Sequence, residues 1–303
     1  MSTPVIAGID IGGTSVHGIA IDPANGLVVG DVRRATVAGP DGVLTELSAA
    51  VADLAKATGR PIGGIGVGVP GLVADGAVSH AVNLGIGAAP VDLLGHVRTL
   101  TDGPVAVEND VKAAALGAQR WLADTEPEVH DYALVNVGTG LAAGLVLDGR
   151  LRRGATGLAG EIGHLTFDRT GPACKCGKRG CLELYASGSG LRRSWDGTAL
   201  ELFTAAAAND PQAVALVEDV VAGLTYAITL LAYTVDVERV LVTGGVVSAT
   251  PPLRDAVIAR LAQDGLTPVG RAAAVEERVR WLPADVPVGA IGAALLVHAE
   301  GDR

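Results

Sequence analysis

The chain has 303 residues, of which 49% are hydrophobic, 18% are charged and 3% are aromatic. That length can bury the cores of two domains, and the composition is that of a globular protein rather than a disordered one. The formal net charge of -10 argues against broad contact with a nucleic-acid backbone, which needs a face rich in Lys and Arg. A small-molecule partner is therefore favoured.

Neither the start of the chain nor its apolar runs point to a membrane. The first four residues lead directly into an apolar run, without the basic region and cleavage site of a secretory leader. The longest uncharged apolar run, residues 220–235, is shorter than the roughly 20 residues of a membrane span, so we expect a buried helix there. These features predict a cytoplasmic protein that binds neither a membrane nor nucleic acid.

Short Val/Ile/Leu runs alternate with Ala/Leu-rich stretches of helical spacing, which predicts an α/β chain. In chain order the series begins with a strand at 5–9, a helix at 43–57 and a strand at 65–69. The segments opening at Val5 and at Tyr132 resemble each other, since each has an apolar strand, a Gly/Thr turn and a second apolar strand. This repeat predicts two domains, 1–108 and 109–288, with a C-terminal helix, 289–303, packed back on the first.

Glycine-rich turns follow three of the predicted strands, two of them at equivalent places in the repeat. Glycine lets a backbone turn tightly and leaves amide N–H groups free for phosphate oxygens. Asp10, at a strand end, can hold Mg²⁺ through water. Each turn alone is equally compatible with an ordinary loop, and their pairing favours a nucleotide site. The predicted nucleotide-binding residues are Asp10, Gly12, Gly13, Thr14, Gly138, Thr139, Gly140, Thr243, Gly244 and Gly245.

Polar residues 108–110 stand between a predicted strand and an Ala-rich helix. Strand ends of this kind open into ligand sites in α/β folds. A base for phosphoryl transfer needs a carboxylate on a rigid element, and Asp110 has that setting. Helix capping is the alternative for Asn109 and Asp110, and both roles can coexist.

The three cysteines lie within eight residues of one another, shortly after a histidine. Such a cluster is a poor disulfide framework, and three thiolates with one imidazole make a closed tetrahedral zinc site. We expect a structural zinc on His164, Cys174, Cys176 and Cys181; redox-active thiols or unrelated buried cysteines are the alternatives. Glu161 and Glu183 bracket the cluster and can accept hydrogen bonds from ligand hydroxyls, unless they are ordinary solvated acids.

Together these residues resemble the ROK family, the bacterial group of repressors, open reading frames and sugar kinases, with a glucokinase-like pattern over essentially the whole chain. The motifs are Asp10-x-Gly-Gly-Thr14, Gly68-Val-Pro-Gly71, Asn83-Leu-Gly85, Glu108-Asn-Asp110, Gly138-Thr-Gly140, Glu161-x-Gly-His164, Cys174-x-Cys-Gly-x-x-Gly-Cys181-Leu-Glu183 and Thr243-Gly-Gly245. The resemblance implies an actin-like, ribonuclease H-like ATPase fold of two α/β lobes with a cleft between them.

The resemblance also implies an activity, an ATP-dependent sugar kinase that uses Mg²⁺ with ATP and phosphorylates the 6-hydroxyl of a hexose, first of all glucose. Asp110 would be the catalytic base. His164 would bind zinc through one ring nitrogen and the sugar through the other. The implied sugar-binding residues are Asn109, Asp110, Glu161, His164, Glu183, Gly71 and Asn83. A homodimer or homotetramer is implied as well.

Several alternatives stay open at this point. Mannose, fructose, N-acetylglucosamine or N-acetylmannosamine would use nearly the same residues, and polyphosphate is a possible donor. A sugar-responsive repressor is disfavoured, because the first glycine turn begins near residue 10 and leaves no room for a DNA-binding domain before it. A sensor without turnover would not need Asp110. Two residues depart from the family pattern, Ser15 where many members have Lys and Lys112 where many have Asn.

Overall fold

Apolar strands that end in glycine-rich turns alternate with helices along the chain, which confirms the predicted α/β class. The computed structural model describes residues 3–299, so residues 300–303 of the predicted C-terminal helix lie outside the described residues. The chain divides into two units, each with its own core. The first comprises the residues up to 128, residues 150–159 and those from 287 onwards, and the second comprises residues 129–149 and 160–286.

The first unit is built on a five-stranded sheet of order β3-β2-β1-β4-β8. β1, β4 and β8 are parallel, whereas β2 and β3 are antiparallel to their neighbours. Its elements are β1 (Val5–Ile11), β2 (Ser15–Ile21), β3 (Val28–Ala35), α1 (Pro40–Thr58), β4 (Ile62–Val69), β5 (Leu72–Ala74), β6 (Ala77–Ser79), a 3-10 turn (Val82–Leu84), β7 (Val91–Asp92), α2 (Leu93–Arg98), β8 (Val105–Asn109), α3 (Asp110–Thr125), β11 (Arg150–Arg152) and α11 (Val288–Ala299).

Helix α11 packs against the sheet and against α3 so closely that only glycine fits at the contacts. A Cβ on Gly66 of β4 would overlap the carbonyl oxygen of Ala293, and one on Gly117 of α3 would overlap that of Val288. Gly8 of β1 faces α11 in the same way. The C-terminal helix is therefore part of the first unit's core, held both by these close backbone contacts and by buried side chains such as Leu296 and Val297.

This close packing makes Gly66 a sensitive position. We expect Gly66→Ala to lower the free energy of unfolding by about 1–3 kcal/mol, because the added methyl must displace α11 or β4. Gly87→Ala is the matched control, since nothing lies within 4 Å of a Cβ at Gly87. Urea unfolding of both variants tests this, and equal stability of the two would contradict the packing described.

The second unit carries strands in the order β10-β9-β12-β13, with β9, β12 and β13 parallel. Its elements are β9 (Tyr132–Val137), β10 (Leu141–Leu147), 3-10 turns at Ile162–His164 and Leu182–Leu184, α4 (Gly188–Ser194), α5 (Ala199–Ala207), α6 (Pro211–Val235), β12 (Arg239–Thr243), α7 (Gly245–Ser248), α8 (Pro251–Asp264), α9 (Pro268–Ala273), α10 (Val275–Arg278) and β13 (Val279–Trp281).

The apolar run at 220–235 lies in α6, which begins with Asp210 accepting a hydrogen bond from the N–H of Ala213. Among the described residues this one helix is long and apolar enough to cross a membrane by length and composition, and 44% of its most apolar stretch is buried. Leu224, Ile228 and Leu231 of α6 belong to the core of the second unit. The helix therefore has a packing role that accounts for much of its apolar character.

The division of the chain differs from the predicted limits at residues 108 and 109. The first unit continues through α3, because α3 packs on α11. It also takes in residues 150–159, where Leu151 packs against Ala106 and Leu116. The segment opening at Tyr132, rather than residue 109, begins the second unit's sheet.

Candidate active site

In the first unit, two carboxyl groups meet at the carboxyl ends of the parallel strands. Asp10 lies near the end of β1, opposite Gly68 of β4, and Asp110 opens α3 directly after β8. Burial, helped by the charge of Asp110, raises the pKa of Asp10 from 3.8 to about 7. The carboxyl of Asp10 also lies against Gly289 of α11, where a side chain would collide with it. A cation beside Asp10 would favour its ionised form, which fits the predicted Mg²⁺ role.

The raised pKa of Asp10 predicts a pH-dependent stability change. Because the folded state binds this proton more tightly than the unfolded chain, the stabilisation is complete below pH 3.8 and is lost as the pH rises to about 7. We expect Asp10→Asn to raise the free energy of unfolding at alkaline pH by up to roughly 4 kcal/mol, at about 1.4 kcal/mol per pKa unit. Near pH 4 the gain should vanish.

Unfolding of the Asp10→Asn variant is measured in Mg²⁺-free buffer across this pH range. Asp41→Asn serves as the control, since Asp41 is an exposed acid in the first turn of α1. A gain that is the same at acid and alkaline pH would show that the titration of Asp10 is not its source.

The start of α3 is fixed by Asn109, the residue before the predicted base. The side-chain oxygen of Asn109 accepts hydrogen bonds from the N–H groups of Val111 (3.0 Å) and Lys112 (3.2 Å), so Asn109 caps the helix as the capping alternative predicts. Its side-chain nitrogen donates to the carbonyl oxygen of Gly71 (3.2 Å). Gly71 and Asn109 are therefore joined by a hydrogen bond, Asn109 is itself buried, and Asp110 follows it directly in the chain.

The first glycine turn, residues 12–14, joins β1 to β2 in a hairpin. The N–H of Gly12 donates to the carbonyl of Ser15 (2.8 Å), and the hydroxyl of Thr36 donates to the carbonyl of Gly12 (2.7 Å). The Cβ of Asn83 lies 3.1 Å from the place of a Cβ on Gly13. The structure thus places Asn83, predicted to bind sugar, beside a turn predicted to bind nucleotide.

In the second unit, the other two glycine turns lie side by side at the ends of β9 and β12, which are adjacent and parallel. A Cβ on Gly244 would collide with the carbonyl of Val137, and Gly244 has a φ of 111°, so glycine is required there. Glu183 contacts the first of these two turns. It accepts a hydrogen bond from the N–H of Leu141 (3.2 Å), the residue after the turn, and its carboxylate lies against Gly140. Glu183 is therefore placed at the glycine turn 138–140.

The sulfur atoms of the three cysteines and a ring nitrogen of His164 all lie within 4.8 Å of one another. The Sγ atoms of Cys176 and Cys181 are 3.5 Å apart, and the Sγ of Cys174 is 3.9 Å from Nδ1 of His164. Two sulfurs about 2.3 Å from one ion at the tetrahedral angle lie roughly 3.8 Å apart, so the geometry fits a tetrahedral metal. This cluster can bind a metal ion.

The electrostatics of the cluster favour a cation. Burial, together with the neighbouring thiols, raises the pKa of Cys181 to about 12, so without a cation its thiolate is disfavoured. Nδ1 of His164 faces the sulfurs, which leaves Nε2 for a second partner. The loop is also held by Gly180, whose φ is 59° and whose missing side chain leaves room for the carbonyl of Asp168.

Two contacts near these residues have no local sequence signal. Glu108 forms an ion pair with Arg153, 45 residues further along the chain. Gly289, near the start of α11, faces Asp10 from the other end of the chain. Of the two departures from the family pattern, Ser15 is exposed and the side chain of Lys112 is buried.

This architecture defines the actin-like ATPase fold, as predicted. It is shared by a solved ROK family glucokinase from Streptomyces griseus in complex with glucose and AMPPNP, with a TM-score of 0.76 and 27% identity, covering 96% of this chain and 98% of that one. The sequence profile of the ROK family matches residues 6–300. The chain belongs to the ROK family.

Two relatives that are kinases of different sugars are equally similar to this chain. A glucokinase from Halalkalibacterium halodurans is 33% identical over 277 residues, covering 82% of each chain. An N-acetylmannosamine kinase from Citrobacter koseri is also 33% identical, over 248 residues, covering 78% of this chain and 82% of that one. Overall similarity therefore does not separate the two sugars.

Proposed function

We propose that this protein is an ATP-dependent sugar kinase that transfers the γ-phosphate to the 6-hydroxyl of a hexose, with glucose as the first candidate. The observation that carries the proposal is the position of Asp110. It is a carboxylate on the first turn of α3, after a capping residue that fixes the helix start, in a chain of the ROK family. Phosphoryl transfer needs a rigidly held base of this kind.

In this proposal Asp110 accepts the proton of the 6-hydroxyl as its oxygen attacks the γ-phosphate. A base within hydrogen-bond reach of the hydroxyl typically contributes 10²–10⁴-fold to such a step. Asp10 would hold the Mg²⁺ that accompanies ATP, and that ion would offset negative charge on the phosphates. The ionised form of Asp10 is needed for that role, and its raised pKa makes the cation the natural partner.

The sugar would be bound by groups that accept or donate to its hydroxyls. Asn109 has a side-chain amide already oriented by α3 and Gly71, and His164 keeps Nε2 available beside the metal cluster. One oxygen of Glu183 is used by the N–H of Leu141, and we assign the other to a sugar hydroxyl. The remaining proposed sugar contacts are Glu161, Gly71 and Asn83.

The donor would be bound by the glycine turns. Backbone N–H groups at such turns bind phosphate oxygens without any side chain. We assign the phosphates of ATP to the turns at 12–14 and 138–140 and the nucleoside to the turn at 243–245. The Streptomyces griseus structure, which holds AMPPNP, an analogue of ATP, supports ATP as the donor.

The metal at the cysteine cluster is proposed to be zinc in a structural role. Four protein ligands close the tetrahedron and leave no position for a substrate. The ion would order the loop that carries His164, and through it the proposed sugar contact. A reducing cytoplasm, which keeps these thiols free, and a homodimer or homotetramer stay predictions; light scattering of the purified protein would test the oligomer.

N-acetylmannosamine is the second candidate substrate, because a kinase for that sugar is as similar to this chain as the glucokinase is. The test is ADP release from Mg-ATP with glucose, mannose, fructose, N-acetylglucosamine and N-acetylmannosamine. Turnover that requires a sugar supports the kinase, and the sugar with the highest kcat/KM is the substrate. Silence across the panel, in folded metal-loaded protein, would contradict the proposal and favour a sensor without turnover.

A further inference from the structure

A partly buried ion pair involves Glu108, two residues before the proposed base. Glu108 is the next-to-last residue of β8, and only 6% of its surface is exposed. Its partner is Arg153, whose Nε donates to Oε2 of Glu108. A buried carboxylate is costly unless a cation and hydrogen bonds compensate it, so this pair calls for a physical reason.

Both oxygens of Glu108 are used, and the second one leads to the base. Oε1 of Glu108 accepts a hydrogen bond from the backbone N–H of Asn109 at 2.8 Å. Asn109 in turn caps α3 and donates to Gly71. A chain of contacts therefore runs from Arg153 through Glu108 to Asn109, and it fixes the backbone at the residue before Asp110.

Arg153 is itself held in place within the first unit. It follows β11, in which Leu151 packs against Ala106 of β8 and Leu116 of α3. The carbonyl of Arg153 accepts a hydrogen bond from the N–H of Ala159 (3.2 Å). Its side chain is 34% exposed, whereas that of Glu108 is 8% exposed, so the cation is the better solvated member of the pair.

We propose that Arg153 is a positioning residue for the phosphoryl-transfer base. By neutralising Glu108 it keeps that carboxylate buried and bonded to the Asn109 N–H, and this fixes the direction in which α3 presents Asp110. The inference rests on the proposed kinase function. Without Arg153, the buried carboxylate has no cation and must move towards water or take up a proton, and either change releases Asn109.

The test is a double-mutant cycle on the full chain. Arg153→Met removes the cation and keeps the bulk of the side chain. Glu108→Gln removes the buried charge, and its amide oxygen can still accept from the Asn109 N–H. We expect Arg153→Met to lower kcat about 10- to 100-fold, since a base misplaced by about 1 Å loses that much. The KM for the sugar should change much less.

The double variant, Arg153→Met with Glu108→Gln, should recover most of the lost kcat, because no uncompensated charge remains. Arg150→Met is the matched control, because Arg150 is an exposed arginine in β11, the strand that Arg153 follows. Urea unfolding of each variant separates a loss of positioning from a loss of fold. The inference is supported if Arg153→Met lowers kcat without changing the free energy of unfolding and if the double variant restores kcat.

Other outcomes would overturn it. If Arg153→Met behaves like Arg150→Met, the ion pair has no role in positioning. If kcat and stability fall together and the double variant is not rescued, Arg153 is only structural. If the wild-type protein turns over no sugar of the panel, the proposed function is refuted, and this inference with it. If the wild type and the Arg153→Met variant are equally active, only the inference is refuted.

Discussion

Substituting Asp110 by Asn is expected to lower kcat by about 10²–10⁴-fold, the usual contribution of a general base. Asn keeps the size of the side chain and the oxygen that accepts from the N–H of Val111 (2.9 Å), so the start of α3 should survive. The amide cannot accept the hydroxyl proton. Affinity for the sugar and the free energy of unfolding should therefore change little.

Steady-state turnover, calorimetric sugar binding and urea unfolding of the Asp110→Asn variant test this together. Asp210→Asn is the matched control, because Asp210 also stands at a helix start and accepts from a backbone N–H. That control should keep full activity. An Asp110→Asn enzyme with unchanged turnover would refute the assignment of the base, and the sensor without turnover would then become the better interpretation.

Loss of the metal is expected to have the second large effect. Cys174→Ser replaces a buried residue of the proposed zinc site, and we expect bound zinc to fall well below one ion per chain and the sugar affinity to fall more than about tenfold. The physical reason is that residues 168–180 contain no Val, Ile, Leu, Met, Phe, Tyr or Trp, so this loop can bury little apolar surface of its own. In isolated zinc fingers, metal binding supplies roughly 10–16 kcal/mol of folding free energy.

Metal content by mass spectrometry and sugar binding by calorimetry give the two readouts for Cys174→Ser. Lys175→Ser is the control in the same loop, since that exposed side chain is not a ligand. Treatment of the wild type with a chelator should reproduce the loss of sugar binding, and added zinc should reverse it. Tight sugar binding by fully metal-free protein would contradict the structural role of the ion.

Local sequence features predicted the parts of the site that depend on local chemistry. Glycine is favoured where the backbone turns tightly, so the positions of the glycines predicted the turns at 12–14 and 138–140. Asn109 is a strong capping residue before an Ala-rich helix, and it caps α3. The four residues of the His/Cys cluster lie within 18 residues of one another, and short spacing alone brings them together.

Contacts between distant segments could not be predicted in this way. Gly66 and Gly117 leave room for α11, which begins more than 150 residues later, and a glycine in a strand gives no sign of what approaches it. Arg153 pairs with Glu108 across 45 residues, with no periodicity to mark the pair. The limits of the units depend on the same long-range packing, so the repeat indicated two units but not their borders.

Relatives also limit what sequence can say about the substrate. The family membership rests on residues 6–300, whereas the choice between glucose and N-acetylmannosamine depends on a few contacts around one substituent of the sugar. Two relatives of equal identity carry the two names. Activity measurements on this chain, rather than further similarity, have to decide between them.

The central claim is that this protein transfers the γ-phosphate of ATP to the 6-hydroxyl of a hexose. Phosphorus NMR of the reaction product from Mg-ATP and the preferred sugar tests it most directly, with the corresponding 6-deoxy sugar as the control. We predict a sugar 6-phosphate formed in equal amount with ADP, and none from the 6-deoxy sugar. ADP with inorganic phosphate only, or a sugar phosphorylated at another carbon, would contradict the claim.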